Sequence, residues 1–186
     1  MSRFAEVADL QKKTKVVYRG ADIPWVEQLL EDATNELRRI IGWQVYPAAV
    51  VSYRTLLRGC EHYTLPVQPV VDAPVVTIDG STVDVDFYDG GFTVLCGGIA
   101  TVTFTAGYDS PPPDLVTWCC VLAQQVIDAI QKLGLLGPGG LSSVSIDDFK
   151  LVWSQDGSTG GGYTLPERIE ESLKQSYGSS AYVTGK

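Results

Sequence analysis

The chain has a single histidine, His62, among its 186 residues, and that scarcity removes most of the chemistry that imidazole carries. A Ser-His-Asp triad or a histidine-rich metal set needs more than one lone ring beside scattered thiols. The four cysteines, Cys60, Cys96, Cys119 and Cys120, form no CxxC pair, so neither a zinc site nor a disulfide framework is expected. Cys119 and Cys120 are adjacent inside a helical pattern and read as small buried hydrophobes. His62 reads as a surface residue in a turn. Its closeness to Cys60 in sequence does not bring the two groups face to face, so no nucleophile is assigned there.

Positive charge is missing from the whole middle of the chain. Residues 1–58 hold nine Lys and Arg against seven Asp and Glu, residues 59–131 hold none against nine, and residues 132–186 hold five against six. A nucleic-acid reader places cations where it meets phosphate, so this middle stretch is a poor groove reader and would repel DNA. Repulsion is useful where DNA must pass without sticking, and it also keeps a surface soluble. Long apolar runs are absent too. No stretch approaches the length that crosses a bilayer, and Met1 is followed by polar and charged residues, so a soluble protein made in the cytosol is expected.

What is present fits one domain with a core of its own and an extension, 45% of residues being hydrophobic. "FAEVADLQKK" reads as a helix turn or two, followed by a basic loop with Lys12, Lys13, Lys15 and Arg19. In "ADIPWVEQLLEDATNELRRIIGW", Val26, Leu29, Leu30, Ala33, Leu37, Ile40 and Ile41 recur at helical spacing, with Asp22 as cap, Pro24 in the first turn and Gly42 as the stop. From 44 to 108 the period changes to two, in short β-branched and aromatic runs broken by Gly, Pro and Asp, the pattern of antiparallel hairpins. "IDGST" and "YDGGF" carry the turns. In "TVDVDFY", Val83, Val85 and Phe87 share one face and Asp84 and Asp86 the other, which makes one sheet face wet or turned to a partner. "PPPDLVTWCCVLAQQVIDAIQKLG" is then a helix paved by Leu115, Trp118, Cys119, Leu122, Val126, Ile130 and Leu133. It is expected to pack on the helix of residues 23–41.

The tail alternates breaks and structure. Glycines 137, 139, 140, 160, 161 and 162 mark flexible linkers around "SVSIDDFKLVWS", which reads as a strand. "YTLPERIEESLKQSYG" is a specified helix: Thr164 as cap, Pro166 in the first turn, Glu167 closing a capping box and Gly178 past the end. Its apolar stripe, Leu165, Ile169, Leu173 and Tyr177, is narrow, so the helix must dock. It docks either back on its own domain or, the favoured expectation, on another subunit or protein. The second would leave an isolated Leu173→Ala monomer almost unchanged, and a large loss of stability would mark the first.

Motifs for catalysis are wanting. "GPGG" and "GGG" lack the Lys-Ser or Lys-Thr of a phosphate loop, and no serine stands in GxSxG. Asp84, Asp86 and Asp89 lack the ligand count of a calcium loop, and a glycosidase-type pairing of Glu61 with them has no support. The expectation is a protein that is not an enzyme and takes no cofactor and no metal.

"FAEVADL", "LLEDATNELRRIIGW", "TVTFTAGYDSPPPDL" and "SSVSIDDFKL…GGYTLPERIEESLKQSYG", in that order over nearly the whole chain, resemble head-to-tail adaptor, or connector, proteins of long-tailed bacteriophages. The resemblance implies an α+β fold: a helical core of two long helices with an antiparallel β-hairpin insertion and a flexible C-terminal arm ending in a helix. It divides the chain into an adaptor core, 1–153, with the β-rich insertion at about 44–108, and a glycine-rich tether and arm, 154–186. It implies a homo-oligomeric ring, usually twelve-fold, in the virion at the head-tail junction, assembled in the host cytoplasm. The ring would join the portal protein to the next neck or tail protein around a DNA channel, away from any membrane. By matching segments, Tyr163, Leu165, Ile169, Leu173 and Tyr177 become candidates for portal docking. Asp84, Asp86 and Asp89 become candidates for lining the channel or meeting the next ring, with DNA passing unbound. A head-tail stopper or tail-completion protein is the neighbouring alternative, and a ligand-binding or hydrolytic module using the acidic β-face is the third.

Overall fold

The computed structural model describes residues 2–132, 143–146, 149–152 and 165–179. The chain forms two compact units, one of Met1–Ile40 with Pro111–Leu173, the other of Ile41–Ser110 with Lys174–Lys186.

In the first unit, α1 (Val7–Thr14) opens where the Asp9 carboxylate accepts from Glu6 N at 3.1 Å, and closes on Lys15 in the left-handed region. Helix α2 (Asp22–Ile41) begins at Asp22 itself, the expected cap, rather than after it, because Asp22 N and Ile23 N already donate to the carbonyls of Arg19 and Gly20. Asp22 therefore sits inside the first turn, where its charge suits the positive helix end. Gly42 follows at φ +87, the conformation a C-terminal stop requires. Helix α3 (Pro113–Lys132) buries Leu115, Cys119, Leu122, Ala123, Val126 and Ile127. Helices α2 and α3 meet at a polar knot. Cys119 Sγ donates to Leu30 O at 3.5 Å, and Thr34 Oγ1 donates to the same carbonyl at 2.8 Å while accepting from Phe4 N. Every α2 position expected to be apolar and inward is buried.

The second unit holds the sheets. Strands β1 (Ala49–Leu57), β3 (Val75–Ile78), β4 (Ser81–Val83) and β7 (Gly98–Ala106) make one antiparallel sheet in the order β1-β7-β3-β4. Strands β2 (His62–Thr64), β5 (Asp86–Tyr88) and β6 (Gly91–Thr93) make a second, in the order β2-β6-β5. Ala49 faces Ala106, Leu57 faces Gly98 and His62 faces Thr93, so a single register runs through both ladders. One long hairpin thus changes sheet at residues 58–61 and 94–97. At this corner Cys60 adopts φ +63, and a Cβ on Gly59 would lie 2.5 Å from Leu95 O. Both expected hairpin turns form, with Asp79–Gly80 and Asp89–Gly90 all at positive φ, the geometry that matches strand twist in two-residue loops. Phe92, Val102, Phe104, Leu57, Leu65 and Val76 lie in the buried core of this unit.

That core overturns the expected architecture. Among the described residues the chain is a mixed α+β fold of four short helices, 8 to 20 residues long, two antiparallel sheets of seven strands and a separate two-stranded sheet. It is not a helical core of two long helices carrying a hairpin insertion. The physical reason is that alternating side chains on both sheets bury a contiguous apolar cluster, so the β-rich segment has a hydrophobic core in its own right. Strands β8 (Ser143–Ile146) and β9 (Phe149–Val152) pair antiparallel where a single strand was expected. The glycine linkers and Thr164 lie outside the described residues, as do Tyr163 and Leu133. Helix α4 (Glu167–Tyr177) closes the described chain.

Candidate functional site

The acidic candidates stand at and beside an edge strand. Alternation of Val83, Val85 and Phe87 suggested one strand, but the backbone breaks at Asp84 and Val85, sending β4 to one sheet and β5 to the other. Asp84 lies in that connection, Asp86 opens β5 and Asp89 holds the tight turn to β6 at φ +50. All three are exposed. Asp86 stands on the β5 edge of the small sheet, Asp89 in the turn that follows it, and Asp84 in the connection that precedes it. Among the described residues no group of His, Cys, Asp and Glu is placed to hold a metal ion.

Across this sheet, Asp86 faces Thr93, which faces His62. The Tyr88 and Thr93 hydroxyls are 3.0 Å apart, and the His62 ring lies 4.6 Å from that of Tyr88. Gly91 makes this possible, because a Cβ there would come within 2.6 Å of His62 Nε2. On the opposite face Tyr63 stacks on buried Phe92 at 5.8 Å. Tyr63 Oη accepts from Arg58 N and lies 3.1 Å from Glu61 Oε2, tying down the corner where the hairpin changes sheet. His62 is thus engaged with Tyr88, while Cys60 Sγ points toward Leu95 O at 4.0 Å. The arrangement is a wet, aromatic sheet face rather than a nucleophile with its base.

The C-terminal candidates are differently placed. Leu165 and Leu173 are each 3% exposed, so the apolar stripe of α4 is covered by the chain's own residues. Ile169 and Tyr177 are half-buried. The last turn of α4 is held within the β unit, where Trp43 Nε1 donates to Tyr177 O and the Tyr108 and Tyr177 rings meet edge to face at 6.4 Å. Gly178 N donates to Lys174 O at 2.8 Å and closes the helix. In α2, Arg39 chelates Glu36 through bonds of 2.8 and 2.6 Å. Its guanidinium is held above the usual arginine range chiefly by that carboxylate, with Glu170 of α4 adding to the effect.

Sequence reasoning missed one surface altogether. On the four-stranded sheet the side chains of Val50, Leu56, Val75 and Ile99 are exposed, with Val71 beside them. The alternation of "VVSYRTLL" contains the signal, since Val50 and Leu56 fall in phase with Ser52 and Arg54. Apolar and polar residues on one face cannot both be inside, and here the whole face is outside.

Comparison with known protein families finds no matching family model, and comparison with curated proteins finds no match. No helix among the described residues is long and apolar enough to cross a membrane.

Proposed function

We propose that this protein is a structural component of the neck of a long-tailed bacteriophage, an adaptor that assembles into a ring between the portal and the tail. The order of its sequence segments supports the family. The observation that carries an assembly role is the outward face of the four-stranded sheet, where Val50, Leu56, Val75 and Ile99 stand open to solvent among Ser52, Arg54 and Thr101, with Val71 beside them, because exposed aliphatic side chains on a sheet face offer a partner apolar area to bury. The cation-free stretch from 59 to 131 supports a passage for DNA past the small sheet, whose strands carry no cation to pair with phosphate, whereas on the four-stranded sheet exposed Arg54 stands opposite Thr101. Twelve copies, a portal above and a neck or tail protein below complete the reading, in the virion and without cofactor or catalysis.

Burial of Leu165 and Leu173 favours the related reading of a stopper or tail-completion protein over portal docking through this apolar stripe. Portal contact by α4 would have to use its outward side, where Arg168, Glu171 and Gln175 are exposed. The native mass of the full chain, alone and mixed with the phage's portal protein, tests both. Rings alone or on the portal are the expected result. Binding only to tail proteins would select the stopper reading, and a monomer indifferent to every neck partner would sink the assignment.

A further inference from the structure

We propose that the basic segment Lys15–Arg19 of one copy lies along the free edge of β5 in a second copy, as the contact that joins neighbours in the assembly. The inference deepens the ring reading and rests on it. Strand β5 has β6 on one side only, at the end of the order β2-β6-β5, so its outer edge is unpaired among the described strands. An open edge is a template for another chain. Its side chains are half apolar: Phe87 is 38% exposed and Tyr88 48%. Asp84, Asp86 and Asp89 flank them, all exposed.

The complement is on the same chain. Residues 10–21 contain four cations and no acid. After α1 ends, residues 15–19 run without helix or strand; Val16 and Val17 stand 45% and 64% exposed, while Tyr18 is 9% exposed and its carbonyl accepts from Gln11 Nε2. Neither Lys15 nor Arg19 forms an ion pair among the described residues. By contrast Lys12 pairs with Asp9 at 3.8 Å, and Lys13 donates to Thr117 O. Laid out as a strand, the segment puts Lys15, Val17 and Arg19 on one side and Val16 and Tyr18 on the other, and pairing requires Lys15 to leave its left-handed backbone at φ +58 and Tyr18 its buried position. Strand β5 puts Asp86 and Tyr88 on one side and Phe87 on the other. Lysine then meets aspartate, and valine meets an aromatic ring on both sides of the added strand.

Charge also chooses the partner. Two β5 edges repel each other through their aspartates, whereas an edge lined by carboxylates admits a cationic strand. The contact joins different surfaces of two copies, which is the type that propagates around a ring.

The test uses the full chain at 0.15 M salt, with native mass measured by light scattering across a concentration series. Lys15→Glu with Arg19→Glu, and separately Asp86→Lys with Asp89→Lys, are expected to raise the concentration at which rings form by roughly tenfold or more, because each turns attraction into like-charge repulsion. Each variant should keep the wild-type circular dichroism spectrum. All four substitutions in one chain are expected to restore rings. Rings from both single-side variants at the wild-type concentration, or no recovery in the combined variant, would overturn this contact and leave the ring reading standing. Wild type that never assembles, even with portal protein, would overturn both. Duplex DNA retained by wild type and released by Lys15→Glu with Arg19→Glu, with assembly unchanged, would assign the segment to DNA and remove it from the interface.

Discussion

Cys119 sits where α2 and α3 meet, fully buried, with its thiol directed at Leu30 O and beside Thr34 Oγ1. Burial pushes its pKa up to about 12, and that of neighbouring Cys120 to about 11. A thiol reacts as its thiolate, and neither residue supplies one near neutrality. Cys60 and Cys96 are exposed at the corner of the long hairpin. A thiol-reactive dye at pH 8 is therefore expected to label two of the four cysteines promptly and the other two only after denaturation. Prompt labelling of all four would mean that the contact between α2 and α3 opens readily. At this scale the sequence was legible for a simple reason: adjacent cysteines beside the stripe of Leu115, Leu122 and Val126 fall on the face that the helix turns inward.

Among the elements, α4 separates what a sequence can specify from what it cannot. Its end was readable from Gly178 and its apolar side from the spacing of Ile169, Leu173 and Tyr177, but it begins at Glu167, so Pro166, expected in the first turn, stands just before it, as does Leu165. The need for a dock was readable too, because the stripe is too narrow to stabilise a lone helix. Which surface receives it is a tertiary fact, and the receiving residues, Trp43 and Tyr108, are far away in sequence. The hairpin turns were legible because Asp-Gly pairs tolerate positive φ locally. The break at Asp84 and Val85 was hidden, since alternation continues across it while the partners change from β3 to β6. Leu173→Ala is now expected to cost the isolated chain about 2–5 kcal/mol, as for other buried leucines, whereas Ser176→Ala on the exposed side should change little. Equilibrium urea unfolding of the two variants decides the matter. A near-zero effect at Leu173 would return the helix to a partner.

For the whole molecule the decisive feature is how charge is divided along the chain. The net charge is −8, yet four cations gather in residues 12–19 and none occurs from 59 to 131. Composition showed this division; only the structure shows that Asp86 lies on the edge strand β5, with Asp84 just before it and Asp89 just after it, all exposed. If Asp86 and Asp89 hold a neighbour, Asp84 in the connection between β4 and β5 is the member left to face a passage. Asp84→Lys moves each chain by two charges, from −8 to −6, and a ring multiplies that change by its number of subunits. Assembled wild type is expected to leave duplex DNA unretarded on a gel at 50 mM salt. Assembled Asp84→Lys should retard it there and release it near 200 mM, because binding through several phosphates falls by orders of magnitude over that range. Retention by wild type with a steep salt dependence would contradict a passage that DNA slides through. Indifference of the Asp84→Lys assembly would place that residue away from the DNA and leave the acidic edge wholly to protein contacts.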